Sequence, residues 1–381
     1  MTVVALLSER TECNTRFFEE SADGLARVCH LMAERFARGG RLIAFGRSPA
    51  ARSDARHVAV EFVHPVIVGK RALPALGLAG EGGDIAHQVL LIAAPDDIAM
   101  GFGADCEDGV AVASSRDCLT IAFAPVGAAW EFEPPTADPF IRQELIETLY
   151  HVLWELVHVF FEHRGLLQGR TERRAHDAGA SSFLYPFLDE RETDLEAVVE
   201  DVRRSVLMKA GEVAALREQT LIENERVLVA AADSVRGSFE RGGKLLALGN
   251  GGSATDAMDV VADLRAGGRP AIDLTEDPGI LTAIANDIGV EAIFSRQVIA
   301  YGGEADVVLA LSTSGNSGNV IQALAEARRR GLTTIAMVGY DGGRVAAEEL
   351  ADHVVVTRSE HIPRIQEAQA SAYHALVELV G

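Results

Sequence analysis

The sequence predicts an α/β protein of two domains in tandem, each a parallel sheet with helices on both faces. Three observations predict it. Short apolar strands alternate with helical segments along the whole chain, the pattern of a sheet covered on both sides. The segment Arg38-Gly-Gly-Arg-Leu-Ile-Ala-Phe-Gly46 returns as Arg241-Gly-Gly-Lys-Leu-Leu-Ala-Leu-Gly249, each time between two helical runs. A second echo lies further on: Gln143-Glu144 followed by Tyr150-His151, and Gln366-Glu367 followed by Tyr373-His374, at equal spacing. Two such echoes at matched positions imply one unit written twice. The 381 residues suffice for two domains, and 48% hydrophobic against 24% charged residues permits a sizeable core.

In chain order, a helix over 15–38 leads into the first Gly-Gly strand. Leu119-Thr120-Ile121-Ala122 reads as a strand after a helix, and Gln143–Val157 as a closing helix. Residues 1–165 form the first domain. Residues 166–193 are polar with one aromatic patch, Phe183-Leu-Tyr-Pro-Phe187, and read as a linker. The second domain, 194–381, begins with one or two long helices up to about Glu240. Its strands are predicted at 244–248, 271–274, 307–311, 334–338 and 353–356.

The net charge of −21 argues against nucleic acid or an anionic membrane surface as the main partner. A phosphorylated small molecule is still allowed, because a nest of N–H groups is locally positive even in an acidic protein. No apolar run reaches membrane-spanning length, and the N-terminal ten residues are too short and too soon charged for a signal peptide. Cys13, Cys29, Cys106 and Cys118 show no paired spacing. Free thiols in a reducing cytoplasm are the expectation.

Two turns of the second domain hold the chemistry. Gly249-Asn250-Gly251-Gly252-Ser253 joins a strand to a helix. Ser312-Thr313-Ser314-Gly315-Asn316-Ser317-Gly318-Asn319 joins another strand to the helix over 320–330. Each alone reads equally as a capped turn. Two of them, closing two strands of one sheet, read as a phosphate site: helix N-termini, inward N–H groups and several hydroxyls.

In this order, GNGGSATDAM, AIANDIG, STSGNSGNV and RIQEAQASAYH resemble the phosphoheptose isomerase branch of the SIS (sugar isomerase) family. The resemblance covers 221–381 well and the first half only in outline, as a degenerate SIS-like domain. It implies a sugar-phosphate ketose–aldose isomerase, with sedoheptulose 7-phosphate the expected substrate, acting through an enediol with a carboxylate, a histidine and often a zinc ion, and no nucleotide cofactor. Carried over residue by residue, Asn250, Gly251, Gly252, Ser253, Ser312, Thr313, Ser314 and Ser317 hold phosphate and sugar. Asn286 and Asp287 lie near the sugar hydroxyls, and Gln366 and His374 sit on the metal or acid–base side of the last helix. The family also implies a homo-oligomer, here a dimer of tandem chains.

The sequence departs from the family pattern in both halves. A His and a Glu four residues apart are expected on the helix after the first turn, where this chain has Asp259 and Asp263. They share a helix face, and their bland reading is two solvated or capping carboxylates. The first half keeps His57 and Glu61 at that spacing, with Gln143 and His151, but its turn, Gly46–Ser53, contains Pro49. Ala93-Ala94-Pro95-Asp96-Asp97 is read as standing in place of the second turn. Two metal sets follow: His57, Glu61, Gln143 and His151, or Asp259, Asp263, Gln366 and His374. The bland reading of the first set is a buried histidine pair. Asp263 or Glu61 would be the base, and His374 or His151 would move the second proton. The two halves could also pool their groups in one site. The alternatives to catalysis are a sugar-phosphate sensor that keeps the turns without the base, or a partner-binding assembly protein.

Overall fold

The computed structural model describes residues 6–65, 70–79, 83–162 and 194–381, and the predicted linker 166–193 lies outside them. The chain divides into two compact units. One lies within Thr11–Glu212; the other comprises Val213–Gly381 with the first residues up to Arg10.

The first unit runs α1 (Leu7–Ala37), β1 (Leu42–Gly46), α2 (Pro49–Val63), β2 (Ala75–Leu78), α3 (Ile85–Ile92), β3 (Ile98–Phe102), α4 (Glu107–Ser115), β4 (Leu119–Ala122), β5 (Trp130–Glu131) and α5 (Pro139–Glu162). Then come α6 (Leu195–Glu223) and α7 (Glu225–Glu240). The second unit continues with β6 (Leu245–Leu248), α8 (Gly252–Ala266), β7 (Ala271–Asp273), α9 (Pro278–Asp287), α10 (Ile293–Tyr301), β8 (Val307–Ser312), α11 (Gly318–Arg329), β9 (Thr333–Gly339), α12 (Gly343–Ala347), β10 (His353–Thr357) and α13 (Ile362–Val380).

Both sheets have five strands, all parallel, in the orders β2-β1-β3-β4-β5 and β10-β9-β8-β6-β7. The strands are short and apolar because both faces are covered. Alternate residues point to opposite faces: Leu245, Ala247, Leu309 and Leu311 pack in one cluster, and Leu246, Leu248, Val308 and Ala310 in another. The first unit repeats this with Leu42 and Ala44 on one side and Ile43 and Phe45 on the other. In each sheet the chain leaves its first strand in one direction and returns on the other side of it. The reversal falls between β1 and β3 and between β6 and β8. A crevice opens at such a reversal, outside the carboxyl ends of the two strands.

The repeated Gly-Gly pair has a steric cause. Gly39 and Gly242 adopt positive φ of 96° and 77°. A Cβ on Gly40 would lie 2.0 Å from the Asp96 carbonyl oxygen, and one on Gly243 2.3 Å from that of Ala305. The next residue is clamped alike in both units. Asp97 accepts from the Arg41 amide at 2.8 Å and pairs with its guanidinium at 2.6 Å, while Asp306 accepts from the Lys244 amide at 2.9 Å and pairs with its ammonium at 2.6 Å.

This clamp corrects one reading. Ala93–Asp97 precedes β3 and so lies at the amino ends of the strands, as the segment ending in Asp306 precedes β8. The counterpart of Ser312–Asn319 is the turn after β3, beginning at Gly103. The helix predicted from 15 begins at Leu7. The long helical run before β6 is two helices, parted at Asn224, whose side-chain amide exchanges hydrogen bonds with the backbone of Val356 at 3.0 Å each way.

Candidate functional site

The two turns of the second unit meet. β6 and β8 are neighbours, so the turns leaving their carboxyl ends stand side by side. They are tied by a reciprocal amide pair: Asn250 donates to the Asn319 side-chain oxygen at 3.0 Å, and Asn319 donates back at 2.9 Å. Asn319 is buried and was not singled out from the sequence, although it ends the quoted second turn. The signal was a second Asn three residues after Asn316. Asn319→Leu removes both bonds while the exposed Asn250 amide turns to water, so a loss of about 0.5–1.5 kcal/mol per bond is expected. Denaturant unfolding checks the stability, and a parallel weakening of phosphate binding checks that the pair holds the turns together.

Both helices that start here lack a side-chain cap. Gly251, at φ 59° and ψ −126°, precedes α8 and has no side chain to offer. Ser317 stands at the N-cap of α11 without capping it. Helix N-termini ordinarily recruit a Ser, Thr, Asp or Asn oxygen, and two uncapped ones facing one crevice present N–H groups and partial positive charge to an anion. Ser312 and Ser314 shape the second turn, accepting from the amides of Gly315 and Asn316 at 3.2 Å each. Ser253 is buried in the first turn of α8 and Thr313 is half-buried.

From this crevice α8 runs back against α13. Asp259 and Asp263 lie on one face of α8, and Gln366 and His374 are buried on α13. His374 Nε2 is 3.7 Å from Asp263 Oδ2. Burial raises the Asp263 carboxyl above the ordinary aspartate range, and the neighbouring His374 partly offsets it. A desolvated carboxylate beside an imidazole suits proton transfer. As a metal set these residues are not gathered: Asp259, Asp263 and His374 do not bring three donor atoms within 4.8 Å of one another.

Asn286 and Asp287 end α9, a helix with no buried residue, and their side chains bond each other at 2.7 Å. Asp287 lines a groove of about 290 Å³ with Ile284, Ile288, Arg296 and Tyr301. Beyond them Glu291 reaches the second turn: a Cβ on Gly318, at the start of α11, would lie 2.0 Å from its Oε2. Nothing in the spacing pointed to Glu291.

In the first unit the corresponding turns after β1 and β3 are tied to each other by ion pairs. Arg47 makes a bidentate pair with Asp108 at 2.7 and 2.8 Å, approaches Asp84 at 3.3 Å, and donates to the Asp105 carbonyl. The Arg47 guanidinium holds the Asp108 carboxyl below its usual range. α2 is capped by Ser48, which accepts from Ala51 N at 3.2 Å, with Pro49 at its first position. The predicted acids at this turn are thus present, but they are Asp105, Glu107 and Asp108 rather than Asp96 and Asp97.

Deeper, α2 packs on α5. His57 Nε2 lies 3.3 Å from His151 Nε2 and 3.8 Å from Glu61 Oε1. Glu147, one turn before His151, joins them; His57, Glu147 and His151 each bring a donor atom within 4.8 Å of the others. All four side chains are buried. Burial, then the neighbouring His151, pushes the His57 imidazole well below its ordinary value, which keeps it neutral. Gln143 is also buried, its Nε2 without a partner. Glu147 was missed because it sits in a helix read for its Gln and His. The second carboxylate-to-His spacing of four was its signal.

Comparison with known proteins places these features. A SIS domain family model matches residues 210–339. The phosphoheptose isomerase of Pelodictyon phaeoclathratiforme is 44% identical over 176 residues, 44% of this chain and 82% of that protein. That of Geobacter sulfurreducens is 47% identical over 155 residues, 39% of this chain and 79% of its own. Among solved structures, the C-terminal domain of glucosamine-fructose-6-phosphate aminotransferase from Francisella tularensis superimposes with a TM-score of 0.62 at 12% identity. That match covers 99% of this chain and 94% of the other, a likeness of fold. Four cysteines are free and buried, and among the described residues no helix is long and apolar enough to cross a membrane.

Proposed function

The chain belongs to the phosphoheptose isomerase family of SIS-domain proteins, and on that premise we propose that its second unit interconverts a ketose phosphate and an aldose phosphate, with sedoheptulose 7-phosphate as substrate. The observation that carries the reading is the pair of uncapped helix N-termini, locked side by side by Asn250 and Asn319, at the head of the helix that bears Asp263.

The phosphate is held by the backbone N–H groups at Gly251–Ser253, by those of Ser314 and Ser317, and by the hydroxyls of Ser253, Thr313 and Ser317. With the phosphate fixed, the reacting end of the sugar reaches toward α8 and α13. The Asp263 carboxylate takes the proton on C1, alpha to the C2 carbonyl. The electron pair moves into a C1–C2 double bond as His374 supplies a proton to the carbonyl oxygen, giving the enediol. Return of a proton from Asp263 to C2, with transfer of the O1 proton to His374, yields the aldose and restores both residues. Asp259, Asp263 and His374 do not bring three donor atoms within 4.8 Å of one another, and the proton transfers are assigned to Asp263 and His374 alone.

A coupled assay that consumes the aldose product tests the reading. Turnover of sedoheptulose 7-phosphate by the full chain is expected, together with a rise in melting temperature on adding phosphosugar. One feature favours a second reading, a sugar-phosphate sensor. Asp259 stands where the family pattern has His, and Asp263 is one methylene shorter than the Glu of that pattern; a base tolerates little misplacement. Stabilisation by phosphosugar without turnover would establish the sensor; neither response would sink both.

A further inference from the structure

We propose that Glu291 is a specificity residue of the second unit: its carboxylate selects a phosphate ester carried on a polyhydroxylated chain against bare phosphate. This rests on the anion site assigned to the two turns, but not on turnover.

A tight local turn brings this carboxylate to the crevice. α9 ends at Asp287, and Gly289 then takes φ 125°, a conformation that residues with a side chain rarely adopt. The Gly289 carbonyl accepts from the Ala292 amide at 3.0 Å, closing a single helical turn, Val290–Ala292, that packs on α11. Glu291 stands on that turn. A Cβ on Gly318 would lie 2.0 Å from its Oε2, 2.6 Å from its Cδ and 2.8 Å from its Oε1. The whole carboxylate therefore rests on the first residue of α11, the helix that Ser317 leaves without a side-chain cap. Glu291 is nonetheless exposed, and among the described residues no hydrogen bond or ion pair takes up its oxygens. A ligand lying in the crevice can reach it.

A negative charge at this place opposes a bare anion. Like charges repel at short range, and added salt weakens the repulsion. The residues assigned to the phosphate, Gly251, Gly252, Ser253, Thr313, Ser314 and Ser317, include no lysine or arginine. The site thus works with N–H groups and hydroxyls, and none of those residues carries a positive side chain to cancel Glu291. Inorganic phosphate meets the repulsion with nothing to set against it. A sugar phosphate differs. An ionised carboxylate only accepts hydrogen bonds, and the hydroxyls on the carbons beside the phosphate ester supply the donors. Such charge-assisted bonds are stronger than bonds between neutral groups. One side chain then attracts the right ligand and repels its simplest competitor, and discrimination is the difference between the two.

The test is calorimetric titration of the full chain with two probes: inorganic phosphate, and sorbitol 6-phosphate, an open-chain polyol phosphate with no carbonyl to isomerise. Glu291→Gln is expected to bind inorganic phosphate about three- to tenfold more tightly at low salt, a gain that shrinks as salt is added. It should bind sorbitol 6-phosphate about tenfold more weakly. Gly318→Ala should act in the same way with the charge kept, because its methyl group takes the carboxylate's place and the flexible Glu291 side chain must swing aside. Glu304→Gln is the control. It is exposed before β8, at the other end of the strands, changes the net charge equally, and should shift neither affinity. A Glu291 that served only to hold the turn in place would move both affinities together. The proposal is overturned if Glu291→Gln weakens both probes, tightens both, or leaves the ratio of their affinities within about twofold of wild type. A wild type that binds neither probe overturns the anion site and this proposal together, whereas binding without turnover overturns only the isomerase reading.

Discussion

Replacing Asp263 by Asn is expected to lower kcat about 10³-fold while leaving phosphosugar binding within about threefold of wild type, since a positioned general base contributes on the order of 10²–10⁴ in rate. The substitution keeps the shape of the side chain and removes only its capacity to take a proton. The same variant should be more stable than wild type at neutral pH. Burial raises the Asp263 carboxyl in the folded state, so folding favours the protonated form. The stability that form provides is complete below the ordinary aspartate value of 3.8 and is lost as pH rises through the raised folded value. Asparagine behaves as the protonated group at every pH. The gain should therefore be present at pH 7 and vanish in acid. In wild type, kcat/KM should fall as pH drops through that same raised value. Asp263→Glu retains the carboxylate and should stay within about tenfold of wild type. An Asn variant with unchanged kcat would remove Asp263 from the chemistry, and one that lost binding instead would make it a positioning residue.

How much of this was legible beforehand depended on what each residue contacts. Strands such as 353–356, predicted, and His353–Thr357, observed, agree closely because continuous apolar runs between helices admit few other structures. The two anion-binding turns were legible because glycine and hydroxyl residues are dense there for local reasons. What escaped depends on distant partners. Ala93–Asp97 looked like a lost phosphate turn from its acids alone. Only the pairing of β1 with β3 shows that Asp97 instead clamps Arg41, as Asp306 clamps Lys244. Asn319, Glu147 and Glu291 gain their meaning from distant neighbours: Asn250, 69 positions away, His57, 90 positions away, and Gly318, 27 positions away. No periodicity in one helix reports such partners. Arg47 is the plainest case: in sequence it is a cation in a degenerate turn, and in the fold its ion pair with Asp108 ties the turn after β1 to the turn after β3.

Gly249→Ala should weaken the anion site with a single methyl group. A Cβ at Gly249 would lie 2.2 Å from the Ser253 carbonyl oxygen, 2.5 Å from its carbon and 2.9 Å from its Cβ. Two of these are backbone atoms of the first turn of α8, so no side-chain rotation can relieve the clash. The end of β6 and the start of α8 must separate, which moves the N–H groups of Gly251–Ser253 away from those of the second turn. Overpacking of this kind costs about 1–3 kcal/mol in stability, and the affinity for inorganic phosphate should fall by about tenfold or more, or 1.4 kcal/mol and upward. Gly267→Ala is the control at the other end of the same helix. There φ is −75° and the nearest atom to a new Cβ is the Leu264 carbonyl oxygen at 3.5 Å, so neither stability nor phosphate binding should change appreciably. Calorimetric titration of phosphate into both variants, beside their urea unfolding curves, separates the effects. If Gly249→Ala folds and still binds phosphate as wild type does, the close approach of strand and helix is only a packing requirement, and the phosphate must be held without the N-terminus of α8.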